Sequence, residues 1–319
     1  MIDSYGRNIH YLRLSVTDKC NLRCRYCMPE YGVCPKRHNE MLTEEEMVSA
    51  VRAAASLGID KLRITGGEPL VKKNILSLCE KCAAVPGIRE VCVTTNGTLL
   101  PELAKPLRAA GVQRLNISLD TLNAEKYAYI TRRGTLESAL CGIQSAYDAG
   151  FEHLKVNAVL IGGFNDDEIP ALAELARYYP MPMDVRFIEL MPMTESEVFG
   201  ANAYVSGDAV LKALPQLTET VWDDGVAKLY RLPGAQGNIG LIRAVSRHFC
   251  AACNRIRLTS DGKLKPCLHS DQEYPIKGLD EDGMRRMMRE AILAKPACHD
   301  PLSAAERSHA GRSMNEIGG

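Results

Sequence analysis

Over roughly the first two-thirds of the chain, short apolar, β-branched runs alternate with amphipathic stretches. Residues 10–16, 61–65, 90–94, 114–119, 153–160 and 183–190 read as strands, and 43–57, 74–85, 99–110, 135–149 and 166–178 carry helical periodicity. Gly58, Gly111 and Gly150 stand where helix C-terminal caps are expected. Thr43, with Glu46 three residues on, predicts a capping box. Strand, helix, strand repeated in this way predicts parallel βα units. Six units predict an α/β fold, an incomplete TIM-like (β/α)6 barrel. A doubly wound open sheet is the alternative, because the pattern does not encode curvature.

After about Pro215 the pattern changes. Strand-like pieces at 228–232, 241–245 and 255–259 are joined by turn chemistry such as Ser260-Asp261-Gly262. A charged helix over 280–294 precedes a tail that ends in Gly318-Gly319. The predicted division is a barrel over 1–215 and a smaller α+β segment over 216–319.

Charge narrows the function classes. The 39 basic and 39 acidic side chains balance, so no global field for nucleic acid exists. The first residues lack an apolar core of signal-peptide length, and no run is long enough for a membrane span. A cytoplasmic protein without nucleic-acid or membrane partners is expected.

Twelve cysteines are many for such a chain, and metal ligation is the first expectation. Six fall into two triads. Cys20-x-x-x-Cys24-x-x-Cys27 directly follows the first predicted strand. Three thiolates hold three irons of a four-iron cluster and leave the fourth open to chelate S-adenosylmethionine (SAM) and pass it an electron. Cys250-x-x-Cys253, completed by Cys267, repeats the three-thiolate arrangement. With His248 or His269 it also suits a structural zinc site, which keeps a zinc-binding interaction module open as a reading. Cys79 and Cys82 form a CxxC inside an apolar-periodic helix and read as buried core. Cys34, Cys92, Cys141 and Cys298 fall outside both triads.

Polar groups cluster where strands end. Thr65-Gly66-Gly67-Glu68, Thr94-Thr95-Asn96, Ser118-Leu119-Asp120 and Glu189-Leu190-Met191 all follow predicted strands. In a barrel those ends open on one face. Gly67 and Glu68 are placed to accept the ammonium group of SAM. Arg13, Arg63, Lys155 and Arg186 are cations inside otherwise apolar strands, where a charge is costly unless paired or presented to a ligand. With Arg255 and Arg257 they suit a triphosphate.

The segments CNLRCRYCMP, RITGGEPL, TTNG, NISLD, KVNAV, RFIELMPM, CxxCNRIRLTSDGKLKPCL and the terminal Gly-Gly together resemble the GTP 3′,8-cyclases. These are the MoaA-type radical SAM enzymes of molybdenum cofactor biosynthesis. The resemblance implies two [4Fe-4S] clusters facing each other across an incomplete barrel, with the C-terminal segment covering its open side. Cys20, Cys24 and Cys27 would hold the first cluster; Cys250, Cys253 and Cys267 would hold the second. It implies SAM contacts at Tyr26, Gly67, Ser118 and Met191, and GTP contacts at Arg13, Arg63, Thr94, Lys155, Arg255 and Arg257. Arg255, Arg257, Gly318 and Gly319 would belong to the catalytic site, the glycines as a tail reaching into it. The implied reaction removes hydrogen from ribose C3′ of GTP by a 5′-deoxyadenosyl radical, after which C3′ attacks guanine C8. An electron donor such as a flavodoxin or ferredoxin is implied, as is a downstream cyclic pyranopterin monophosphate synthase. A homodimer is compatible with the resemblance, and the sequence leaves the oligomeric state open. Another radical SAM enzyme with an auxiliary cluster, acting on a peptide or tetrapyrrole, is the rival within the superfamily.

Overall fold

A computed structural model describes residues 1–33, 36–222, 226–303 and 308–318. Six parallel strands appear where the alternation places them: β1 (Tyr11–Ser15), β2 (Lys61–Thr65), β3 (Glu90–Thr95), β4 (Arg114–Ser118), β5 (Leu154–Leu160) and β6 (Met183–Glu189). The covering helices are α1 (Glu44–Ser56), α2 (Ile75–Ala83), α3 (Leu100–Ala109), α4 (Ala124–Thr131), α5 (Leu136–Asp148) and α6 (Ile169–Tyr178). The Thr43–Glu46 capping box forms, and Gly58, Gly111 and Gly150 take positive φ. Their outward strand residues, such as Leu62, Ile64, Val91 and Val93, are fully buried against the helices. Each such side chain contributes about 1.5–3 kcal/mol.

The periodicity misses α4. This helix has only eight residues and buries Tyr127, Ile130 and Thr131, too few positions to stand out from the longer α5. Asn123 starts it by accepting from the N–H groups of Glu125 and Lys126. It ends at Arg132, a non-glycine residue at φ 61°.

The rest of the chain extends both edges of this sheet. It supplies β7 (Thr218–Trp222), β8 (Lys228–Arg231), β9 (Ile239–Ile242), β10 (Arg255–Leu258), β11 (Lys263–Lys265) and β12 (Tyr274–Pro275). It also forms α7 (Asp208–Ala213), α8 (Glu281–Leu293) and α9 (Met314–Ile317). Among the described residues the order is β12-β11-β10-β1-β2-β3-β4-β5-β6-β9-β8-β7. Strand β10 runs parallel to β1 and β9 parallel to β6, so eight parallel strands flank the interior. The outer hairpin strands are antiparallel, and no pairing joins β12 to β7 among the described residues. Among the described residues no helix is long and apolar enough to cross a membrane.

Candidate functional site

A cavity of about 290 Å³ opens within the curve of this sheet. Successive strand residues face opposite sides, so one register of alternate positions lines it. Tyr11 and Arg13 come from β1, Arg63 and Thr65 from β2, and Thr94 from β3. Asn116 and Ser118 of β4, Asn157 of β5, Arg186 of β6, and Arg255 and Arg257 of β10 complete the ring.

One end of the cavity carries the first cysteine triad. Cys20, Cys24 and Cys27 all reach the lining, and none is in a disulfide. The loop closes through the Cys27 N–H donating to the Cys24 carbonyl at 3.0 Å. Arg132 reaches back from the end of α4, donating to the carbonyls of Arg23 at 2.8 Å and Met28 at 3.1 Å. Burial pushes the Cys20 thiol up to about 11 and raises that of Cys24 well above its ordinary value. Thiols so buried give up their protons readily only to a cation at the same spot, which suits iron. Among the described residues, no three His, Cys, Asp or Glu side chains converge as they would around a single metal ion. Thiolates that each bind a different iron of a cluster have no need to converge in that way.

Beside the triad, the loop after β2 comes close to the loop after β1. A Cβ on Gly67 would lie 2.4 Å from the Lys19 carbonyl oxygen, so only glycine fits. Glu68 lines the cavity but is largely committed to the scaffold. It accepts from the Leu70 N–H at 3.0 Å, the Thr95 hydroxyl at 2.8 Å and the Asn96 N–H at 2.7 Å. Burial nevertheless pushes its carboxyl up to about 7. Tyr26 donates its hydroxyl to Asp120 at 2.8 Å, and Asp120 also accepts from the Val159 N–H at 2.9 Å. Met191 completes this end of the lining.

The other part of the cavity is strongly cationic. The register sets Arg13 directly beside Arg63 on β2 and Arg257 on β10. Burial, followed by the guanidinium of Arg257, lowers the pKa of Arg13. Burial and Arg255 bring Arg257 down to about 10. Arg255 and Arg63 both lie over the Tyr11 ring, at 5.2 and 5.6 Å. Buried like charges repel strongly, and a bound polyanion would relieve that repulsion. Arg255 Nε, a buried donor without a hydrogen-bond partner, points the same way, whereas the unpartnered Asn116 Oδ1 and Asn157 Oδ1 are acceptors that suit an O–H or N–H group of a ligand.

Most residues singled out from the sequence meet here: Arg13, Cys20, Cys24, Tyr26, Cys27, Arg63, Gly67, Thr94, Ser118, Met191, Arg255 and Arg257. Lys155 does not reach the lining. It shares the inward face of Asn157 one step lower in β5 and pairs with Asp184 at 3.8 Å. Cys250, Cys253 and Cys267 do not reach the lining, while their neighbours Phe249, Arg255, Arg257 and Leu268 do. The tail returns to the cavity, whose lining includes Met314. Arg257 Nη1 donates to the Gly318 carbonyl at 2.6 Å, and a Cβ on Gly318 would lie 2.4 Å from Thr65 Oγ1. Gly319 and Cys34 lie outside the described residues. Cys79 and Cys82 are buried in the core on α2, as their helical spacing predicts. Asn116 and Asn157 escaped the sequence reading. Their signal is period two: Asn157 follows the inward Lys155 by two residues.

A partly closed parallel barrel with a three-cysteine loop after its first strand defines a radical SAM protein. The Radical SAM superfamily profile matches residues 14–176, and the Molybdenum Cofactor Synthesis C profile matches 183–301. A GTP 3′,8-cyclase of Alkaliphilus oremlandii is 46% identical over 100% of both chains. One from Peptoclostridium acidaminophilum is 48% identical over 100% of this chain and 98% of its own. Among solved structures, Streptococcus suis SuiB bound to S-adenosylmethionine superposes with a TM-score of 0.63 at 15% identity. That match covers 84% of this chain and 63% of SuiB. The chain belongs to the GTP 3′,8-cyclase family of radical SAM enzymes.

Proposed function

We propose that the cavity binds SAM at its cysteine end and GTP at its arginine end, and that the product is (8S)-3′,8-cyclo-7,8-dihydroguanosine 5′-triphosphate. The single observation that carries this reading is the juxtaposition of Cys20, Cys24 and Cys27 with a buried arginine cluster in one cavity. When bound, the cluster held by those thiolates supplies the electron that splits SAM and so yields the hydrogen-abstracting carbon radical. The chain's own residues position and shield. The Gly67 loop admits the methionine portion of SAM without a side chain in the way, and Tyr26, Ser118 and Met191 surround the rest. Tyr26 is fixed by Asp120, so its ring holds its place when ligand arrives.

Arg13, Arg63, Arg255 and Arg257 fix the triphosphate, with Thr94 donating alongside. Lys155 contributes from the layer below, through the field rather than by contact. Fixing the phosphates sets ribose C3′ toward the cysteine end, so that loss of its hydrogen is followed by bonding of C3′ to guanine C8. The apolar lining of Leu22, Val159, Ile188 and Leu190 excludes water from the reactive carbon. Cys250, Cys253 and Cys267 would hold the second cluster, which would supply a Lewis-acidic iron for the substrate next to Arg255 and Arg257. The Gly318 carbonyl orients Arg257, and Gly319 extends the tail. We place the division of labour at 215/216, the barrel making the radical and residues 216–319 holding the substrate. An electron donor of flavodoxin or ferredoxin type and a cyclic pyranopterin monophosphate synthase that takes the product complete the cytoplasmic reaction.

Family membership favours this reading over a zinc-binding module. It predicts that anaerobically reduced protein forms 5′-deoxyadenosine from SAM only when GTP is present. Equal turnover with ATP, or with no nucleotide, would overturn the substrate assignment.

A further inference from the structure

Tyr11 opens β1 on its inward side, two residues before Arg13. Only 1% of its surface is exposed, yet it belongs to the cavity lining. The sheet register sets it directly beside Arg255 on β10 and Lys61 on β2. Backbone hydrogen bonds on both flanks hold that position. The Tyr11 N–H donates to the Asn254 carbonyl at 3.2 Å, and the Lys61 N–H donates to the His10 carbonyl at 3.1 Å.

Three cations gather at the ring. Lys61 Nζ and the Arg255 guanidinium each lie 5.2 Å from its centre, and the Arg63 guanidinium lies at 5.6 Å. All three are within the roughly 6 Å over which an aromatic face attracts a cation. Arg63 Nε also donates to the Tyr11 hydroxyl, while its Nη1 donates to Thr94 Oγ1 at 3.2 Å. Arg255 is more lightly held. Its Nη2 reaches Asn254 Oδ1 only at 3.5 Å, and among the described residues its buried Nε has no hydrogen-bond partner. The Tyr11 ring is therefore a principal support of that side chain.

Buried cations are held together in two ways. A carboxylate among them cancels part of their charge and competes with an incoming anion. An aromatic face attracts them through its quadrupole, and a hydroxyl through a lone pair, without supplying a countercharge. Lys61 has a carboxylate partner as well, Glu90 at 3.0 Å, so Tyr11 matters most for the two arginines. We propose that Tyr11 is a positioning residue for the triphosphate, holding Arg63 and Arg255 where they receive the phosphates while leaving their charge uncancelled. The inference rests on the reading that GTP occupies the arginine end of the cavity. No bond is made or broken at Tyr11, which acts through the two guanidiniums.

The test is calorimetry of GTP and of GMP binding to anaerobically reconstituted full-length protein. Tyr11→Leu removes ring and hydroxyl together and is expected to weaken GTP binding at least about tenfold. GMP, with one phosphate on the same base and sugar, is expected to lose less than about threefold. Tyr11→Phe keeps the ring under Arg255 and loses only the acceptor for Arg63, so its GTP affinity should fall between those of Tyr11→Leu and wild type. Undiminished GTP affinity in Tyr11→Leu overturns the proposal. An equal loss for GTP and GMP also overturns it, since a merely disturbed fold would not distinguish phosphate number. Should Tyr11→Leu be recovered unfolded, Tyr11→Phe carries the test alone, and undiminished GTP affinity in that variant overturns the proposal. Wild-type protein that gives no binding heat with GTP overturns the substrate reading and the proposal together, so the two failures are told apart by the wild-type titration.

Discussion

Arg13, Arg63 and Arg257 occupy neighbouring strands at matched register, so their charges are stacked by backbone hydrogen bonding rather than by side-chain choice alone. Arg255 lies two residues earlier on the same face of β10 and leaves a buried Nε without a partner. That atom gives it a specific use. A charge-assisted hydrogen bond to phosphate contributes about 1.5–3 kcal/mol. Arg255→Ala is therefore expected to weaken GTP binding by about tenfold to a hundredfold in calorimetry. Iron and sulfide content should not change; unchanged affinity would remove Arg255 from the site. Glu68 illustrates the opposite case, a cavity residue whose first duty is to the fold. Two backbone N–H groups, one on each carboxylate oxygen, need acceptors there. Glu68→Gln turns one acceptor into a donor facing an N–H group. The variant should lose about 1–3 kcal/mol in denaturant unfolding. Wild-type stability in Glu68→Gln would contradict that account.

At the scale of elements, the site depends on segments that brace loops from a distance. Helix α4 hands Arg132 to the cysteine loop across a separation of 104 residues to Met28 and 109 to Arg23. The tail is braced similarly. Arg312 binds Asp261 in the β10–β11 turn at 2.9 Å and Glu273 through two contacts, which places α9 and Gly318 over the cavity. Burial raises the Asp261 carboxyl, but Lys36, Thr259 and Arg312 outweigh it and hold it at about 2. A depressed folded-state pKa contributes stability above the unfolded value near 3.8 and loses it as pH falls toward 2. The wild-type advantage over Asp261→Asn should thus be about 2 kcal/mol near pH 6 and visibly smaller near pH 3.5. A pH-independent difference would contradict this brace. These braces explain what the sequence concealed. A cation in an apolar strand, such as Arg13 or Arg63, is legible because its cost is local. Arg132 looks like any helix-terminal arginine, since its partners are carbonyls far along the chain. Lys155 was legible as an inward charge but not as a partner of Asp184, because the β5–β6 register sets that contact. The Cys250–Cys253 spacing is plain in the sequence, whereas the Arg7 tie between the Cys250 carbonyl and those of Pro296 and Ala297 is not.

For the whole molecule, the sheet is continuous and both of its open edges are finished by the C-terminal segment. Strand β10 is hydrogen-bonded to β1, and β9 to β6. Residues 1–215 alone would expose two parallel edges and the flank of an arginine-rich cavity. A chain truncated after residue 215 should be recovered aggregated or fail to bind iron, whereas a monomeric, iron-binding fragment would show that the barrel stands by itself. The continuous sheet also brings the Cys20–Cys24–Cys27 loop and the arginines of β1, β2 and β10 to one cavity. The most direct measurement is hydrogen transfer from GTP deuterated at C3′, incubated with reduced protein and SAM without oxygen. The account predicts one deuterium in the 5′-deoxyadenosine and a 3′,8-cyclised triphosphate as product. Unlabelled 5′-deoxyadenosine, or GTP recovered intact, would contradict it.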